Sequence, residues 1–373
     1  MSRCAKVIIG LALAGGLGGG LVAWSGIINV GASTGHWKVT ELVLHWAMRQ
    51  SVETHASGSA APPLGDAALA RRGAGHYATA CAPCHGAPGL QRSPVTSGMT
   101  PEPPFLPRSV GAWKPQELFW IVRHGVKYTG MPAWPSLQRR DEIWAMVAFL
   151  RRLPELDKAA YDALVHGSAG ASRSIAAPGE QEEGARVRME TTAAAAGCTR
   201  CHGSDGRGSA AFPRLAGQSA DYLFASLLAF AEGRRHSGFM RAAAAGLDEA
   251  AMRQIAEHYG AATPEEDARA SRLEGNKTGG DAAAGGVIAR RGDPARGVPA
   301  CVACHGLEQG PRFPHYPRLA GQQAWYLALQ LRLLKAGERG GTPFAPIMHA
   351  VAERLSDAQI DDLAVFYAGL PAR

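Results

Sequence analysis

Three short segments share one pattern: Cys81-Ala-Pro-Cys84-His85, Cys198-Thr-Arg-Cys201-His202 and Cys301-Val-Ala-Cys304-His305. Together they use six of the seven cysteines in 373 residues. With 13 His in the chain, chance would place far fewer than one such segment. The pattern constrains the fold because two thiols one helical turn apart meet one edge of a flat ring, and the adjacent imidazole then lies beneath its centre. That is the attachment geometry of a c-type haem, whose vinyl groups take up the thiols and whose iron takes the His. A zinc site would need two cysteine pairs close together, whereas these are far apart in the chain. Thioredoxin-type redox chemistry would need a strand leading into a helix, and no such context is visible.

Self-comparison supplies the organisation. The second and third segments are each followed by the same six residues, Pro213 to Gln218 and Pro317 to Gln322. Each copy continues with an apolar stretch that predicts a helix, Asp221 to Glu232 or Ala324 to Glu338. A Met then precedes a Leu at one common spacing, Met240 with Leu247 and Met348 with Leu355. Asp248, or Ser356 with Asp357, follows as the cap of a last helix. A more divergent copy precedes these two, with a Pro-rich loop around Pro103 to Pro107, Met131 and a closing helix from Arg140 to Leu153. Short helices joined by Gly and Pro loops, without a series of alternating apolar strands, predict an all-α fold of three tandem domains. The domains are expected at 66–157, 189–260 and 285–373. The small and polar residues of 158–188 and 261–284 read as linkers.

His85, His202 and His305 are the expected fifth iron ligands, and Met131, Met240 and Met348 the sixth. Thr129-Gly-Met131-Pro-Ala-Trp134 is a Gly and Pro loop, a poor place to bury a core Met. His236 is a nearby rival to Met240, while His124 and His349 read as loop residues making polar contacts. A thioether is a softer donor than imidazole and favours ferrous iron, so His/Met ligation raises the potential. An iron closed on both faces suits electron carriage, since substrate chemistry needs a vacant position. A ligating His also needs a fixed acceptor for its other ring nitrogen. Pro104, Pro213 and Pro317 are each followed two positions later by Leu, at Leu106, Leu215 and Leu319.

On these residues the chain resembles the class I c-type cytochromes. The last two modules resemble the tandem diheme cytochromes c of the bacterial periplasm, and the first resembles single-haem domains carrying Thr-Gly-Met-Pro-Ala-Trp. The resemblance implies that Pro104, Pro213 and Pro317 give carbonyls to the proximal His residues. It likewise places Leu106, Leu215 and Leu319 on the haem faces. The implied cofactors are three covalently bound haem c groups, and no residue is expected to be catalytic. The implied activity is transfer of single electrons from a respiratory donor, a quinol-oxidising complex or periplasmic dehydrogenase, to a terminal oxidase or other acceptor. Two alternatives stand beside it: the cytochrome subunit of a periplasmic dehydrogenase complex, and a haem peroxidase with one open iron. The middle module is the place to look for an open iron, because Met240 follows the least typical loop. A haem-based sensor would need an output domain, and none is evident after the last module.

Arg3 and Lys6 precede an uncharged run from Val7 to Val30, which as a helix would reach about 36 Å and cross a bilayer. Basic residues before the first apolar run hold that end in the cytoplasm, so the remainder is expected in the periplasm. Residues 1–30 are read as a retained inner-membrane anchor, because Ile27, Ile28 and Val30 extend the run, and 31–65 as a juxtamembrane segment. Ala23 and Ser25 give the small-x-small form of a cleaved signal peptide, the competing reading, which would leave the chain free in the periplasm. Small-residue spacings such as Gly15 and Gly19 follow from composition as readily as from helix pairing, and Cys4 reads as a spare thiol. Glu41, His45 and Arg49 share one side of a helix and Leu42, Val43 and Trp46 the other. Such a helix suits either a membrane surface or packing on the first domain. The formal charge of +7 falls to about +1 to +4 once six propionates and three irons are counted. No nucleic-acid partner is needed to explain it, and the expected partners are redox proteins.

Overall fold

The computed structural model describes residues 2–58, 60–166, 197–262, 279–307 and 310–372. Most of both expected linkers, and residues 189–196 of the expected second domain, lie outside them. Among the described residues the structure is helical, with isolated bridges and no strand.

Helix α1, Arg3–Trp24, begins at Ser2, whose hydroxyl accepts from the Ala5 N–H. It is long and apolar enough to cross a membrane, a property shared by anchors and signal sequences. It stops short of Val30 because Ser25 closes the last turn and Gly26 takes φ +69°, the left-handed conformation that ends a helix. Helix α2, Lys38–Ala56, divides between the two readings of the juxtamembrane segment. Its second half packs on the first core, with Val52 and Ala56 buried and Arg49 over the Trp113 ring at 4.6 Å. Its first half leaves Leu42, Val43, Leu44 and Trp46 exposed.

The first core is built by α3 (Ala67–His76), α4 (Pro115–His124), α5 (Arg140–Arg152) and α6 (Lys158–His166). Asp66 caps α3 by accepting from Ala68. Proline at the first position starts α4, where no N–H partner is lost. The apolar face of α5, including Ile143, Met146, Val147 and Phe149, is fully buried. The residues of α6 read from composition as the start of a linker, yet Tyr161 and Val165 are buried in this same cluster. Tyr161, Leu164 and Val165 do fall at i, i+3 and i+4 of one face, but the pattern spans little more than one turn and merges into the small and polar residues that follow.

The second copy contributes α7 (Ala220–Ala231), α8 (Gly238–Ala244) and α9 (Glu249–Gly260). The third contributes α10 (Ala282–Arg291), α11 (Ala324–Lys335), α12 (Ala345–Ala352) and α13 (Asp357–Ala368). Asp248 caps α9 by accepting from Ala251, and Ser356 caps α13 in a reciprocal box with Gln359. The second cluster is small: Leu223, Ile255, Ala256 and Tyr259 are its buried residues, ringed by half-buried Cys198, Leu215 and Leu247. Small modules seldom bury enough surface without a cofactor or cross-link.

The repeated hexapeptides join these two copies. Gln218 donates to the Arg318 carbonyl at 2.8 Å and accepts from the Arg318 N–H at 3.0 Å. Gln322 does the same to Arg214, with both bonds at 2.9 Å. Each copy thus uses its glutamine amide to satisfy one backbone unit of the other, so that both the N–H and the C=O of that unit are bonded.

Two crossings depend on glycine. A Cβ at Gly73 of α3 would lie 2.3 Å from the Ala145 carbonyl oxygen on α5, and one at Gly285 of α10 would lie 2.1 Å from the Asp362 carbonyl oxygen on α13. Backbone therefore meets backbone at both crossings. Gly73→Ala or Gly285→Ala should cost about 1–3 kcal/mol through overpacking, read as a lower melting temperature by calorimetry. An unchanged melting temperature would mean that the helices have room to separate.

Candidate haem centres

Each Cys-x-x-Cys-His segment folds as one short helix, Ala82–His85, residues 197–202 and Val302–His305. A glycine in the left-handed region closes each: Gly86 at φ +74°, Gly203 at +80° and Gly306 at +62°. Two tyrosines fix these turns from outside. The Tyr77 hydroxyl donates to the Gly86 carbonyl at 2.6 Å, and that of Tyr259 to the Gly203 carbonyl at 3.0 Å.

The three imidazoles are held alike. Nδ1 of His85 lies 3.0 Å from the Pro104 carbonyl, that of His202 3.0 Å from Pro213, and that of His305 2.9 Å from Pro317. A carbonyl can only accept, so Nδ1 carries the proton and Nε2 keeps a free lone pair. Burial lowers the pKa of all three rings, and the carbonyl bond opposes it. Neutral rings with a committed Nδ1 are what an iron requires. Leu106, Leu215 and Leu319 are each half-buried against the cluster of their own copy.

The thiols favour the same cofactor. Burial pushes Cys81 up to about 12, Cys201 and Cys301 up to about 11, and Cys198 upward as well. Raised in this way, the four groups stay as uncharged S–H, the form that can be buried against an apolar ring edge at least cost. An S–H group adds its sulfur to one vinyl carbon and its hydrogen to the other. Among the described residues no three His, Cys, Asp or Glu side chains converge as a metal-binding cluster.

Met131, Met240 and Met348 are half-buried, the first in the loop after α4 and the others on α8 and α12. Thr129 holds the Met131 N–H at 3.1 Å, and the Met131 carbonyl accepts from Val126. Met99 packs against Gly130 of this loop, a thioether that the sequence reading passed over. Both other histidines lie on helices, not in the loops expected of them: His349, on α12, has its ring on the Arg339 carbonyl at 2.6 Å, and His124, the last residue of α4, packs against Trp120 one turn earlier. His236 gives its carbonyl to Arg139.

A charge problem lies between the second and third copies. Arg235 is buried and donates to Ser226, Tyr326 and Gln330; Arg339 donates to Tyr222. The two arginines pair through their backbones, and among the described residues neither meets a carboxylate. Burial would raise the Tyr222 hydroxyl, yet Arg235 and Arg339 bring it down to about 8. Buried cations without an acid are unfavourable unless an anion is supplied. Haem propionates are such anions, so the residues present fit the group. Arg235, Arg339, Tyr222, Tyr326 and the two glutamines were not read from the sequence as site residues, although each recurs at the equivalent place in the other copy.

The first copy docks against the second. A Cβ at Gly75 of α3 would come within 3.2 Å of Cys201 Sγ. His76 follows, its ring 4.9 Å from Trp134 and 5.0 Å from Phe239, and burial lowers its pKa to about 4. These contacts bring α3 of the first copy against the cysteine edge and the methionine helix of the second.

Known proteins similar to this chain are cytochromes. Residues 68–150 match the family model described as cytochrome c oxidase, cbb3-type, subunit III, and 188–270 match that for cytochrome c. A thiosulfate dehydrogenase electron acceptor of Thiomonas intermedia is 37% identical over 179 residues, 48% of this chain and 80% of the relative. Cytochrome c4 of Pseudomonas aeruginosa is 32% identical over 180 residues, 48% of this chain and 86% of the relative. A solved cytochrome c4 of Acidithiobacillus ferrooxidans is 32% identical, covering 47% of this chain and 99% of the other, with a TM-score of 0.41.

The His76 contact makes stability depend on pH. Its folded pKa is about 4, below the ordinary 6.5, so the unfolded chain takes the proton first. Stability is therefore full above the unfolded value and falls as pH drops from there toward about 4, by about 1–2 kcal/mol between pH 7 and 5. His76→Phe should flatten that part of a stability–pH curve measured by denaturant titration; a curve unchanged by the substitution would refute the assignment.

Proposed function

The chain belongs to the class I multihaem c-type cytochromes, electron-transfer proteins with covalently bound haem c, and on that premise we propose that it is a membrane-tethered triheme relay. In this reading single electrons pass from a periplasmic donor to an acceptor at the inner membrane. The observation that carries it is the imidazole–carbonyl pair made three times, at His85, His202 and His305, each beside two free thiols and followed along the chain by one half-buried methionine.

The residues divide the work as follows. Cys81 with Cys84, Cys198 with Cys201, and Cys301 with Cys304 hold the porphyrin edges. His85, His202 and His305 would each supply an imidazole ligand to the iron, and Met131, Met240 and Met348 would each supply a thioether. Each haem supplies a one-electron iron couple. Pro104, Pro213 and Pro317 orient the rings through their carbonyls, and Leu106, Leu215 and Leu319 keep water from the ring faces. Arg235 and Arg339 meet propionate charge between the second and third centres.

A periplasmic dehydrogenase is the favoured donor, and the support for a dehydrogenase is that the relative from Thiomonas intermedia is named as the electron acceptor of a thiosulfate dehydrogenase. Helix α1 is read as the tether, which raises the effective concentration of the relay near membrane oxidases. The test is a haem count with an optical and spin-state redox titration of the membrane-bound protein. Three haems per chain, all low-spin and all inert to carbon monoxide under mild conditions, are expected. Two haems, or a high-spin centre that turns over peroxide, would overturn the reading.

A further inference from the structure

Glu142 is a carboxylate with 3% of its surface exposed, lying where the first core meets α8, the helix that carries Met240. Its Oε1 accepts from the Ser237 hydroxyl at 2.5 Å and pairs with Arg139 Nη1 at 3.0 Å. Its Oε2 accepts from the Gly238 N–H at 2.6 Å, the Trp134 indole N–H at 3.3 Å and the Phe239 N–H at 3.4 Å. Ser237 also caps α8, its hydroxyl oxygen accepting from the Met240 N–H at 3.0 Å. Arg139 steadies the approach, donating to the His236 carbonyl at 2.8 Å and to both oxygens of Asp141 at 2.9 Å. Trp134, which belongs to the Met131 loop, presses on Gly238, where a Cβ would lie 2.2 Å from the indole nitrogen. A continuous set of contacts therefore runs from the Met131 loop through Trp134, Glu142 and Ser237 to Met240.

Burying a carboxylate is costly unless its lone pairs are filled, and removing the acceptor would strand several buried donors. Apolar packing alone would join two modules at less cost. The arrangement gains meaning from what it fixes: every residue from His236 to Met240 has a backbone or hydroxyl group bonded directly to Glu142, Arg139 or Ser237. We propose that Glu142 is the positioning residue for Met240, so that the first module sets the ligation and potential of the second centre. This rests on Met240 being the sixth ligand there.

The test uses the full-length ferric holoprotein, read through the long-wavelength sulfur-to-iron charge-transfer band and a titration that resolves each centre. Met240→Leu serves as the reference and should remove one centre's share of the band. Glu142→Gln keeps the side-chain shape but replaces one accepting oxygen with an amide NH2 group that faces buried donors. It should lose much of the same share and lower the potential of the same centre, leaving the other two unchanged. Ser237→Ala cuts the link to the Met240 N–H while sparing the ion pair, and should give a smaller loss at that centre if Glu142→Gln fails to accumulate. Variants that keep the full band and all potentials, even with a lower melting temperature, would make Glu142 a purely structural contact and overturn the proposal. A band untouched by Met240→Leu would instead overturn the ligand assignment beneath it.

Discussion

An imidazole whose Nδ1–H is held by a carbonyl has its tautomer, its ring plane and its remaining lone pair fixed together. The chain makes this arrangement three times, with a prolyl carbonyl as acceptor each time. Proline suits the role because its restricted φ stiffens the loop that presents the oxygen. Around that bond the rest is subordinate: a short helix spaces the thiols, a left-handed glycine ends it, and a leucine packs behind. The second cluster, with so few buried side chains of its own, shows how far these modules lean on a large flat apolar cofactor for their interior.

The modules are coupled differently at their two junctions. Between the second and third, the contacts are reciprocal and polar, with glutamine amides on backbone and arginines on tyrosines. Between the first and second, the two copies trade unlike groups: α3 of the first lies against Cys201, while Glu142 and Arg139 of the first bond the backbone and hydroxyl groups of 236–239 in the second. The middle centre is therefore the one whose surroundings are shared with both neighbours.

Much of this was legible in the sequence where one short segment carries the information. The haem-attachment segments, the Pro-x-Leu pairs and the caps at Asp248 and Ser356 are local patterns, and each has a local physical meaning. The reading weakened where the meaning depends on a distant partner. Glu142 looks like any acidic residue in the first turn of a helix until Ser237, 95 positions away, is placed against it. Gln218 and Gln322 were visible as repeated letters, but only their crossing shows why they recur. The end of α1 was misjudged for a different reason: hydrophobicity runs on to Val30, whereas Gly26 has already turned the backbone.

The glutamine crossing has a consequence for how such a chain arises. Each copy offers the same residues and receives the same residues in return, which is the logic of a two-fold symmetric homodimer. Two separate copies of a single ancestral module could make this contact without any new side chain. Gene fusion would then only make permanent an association that the unfused protein already possessed.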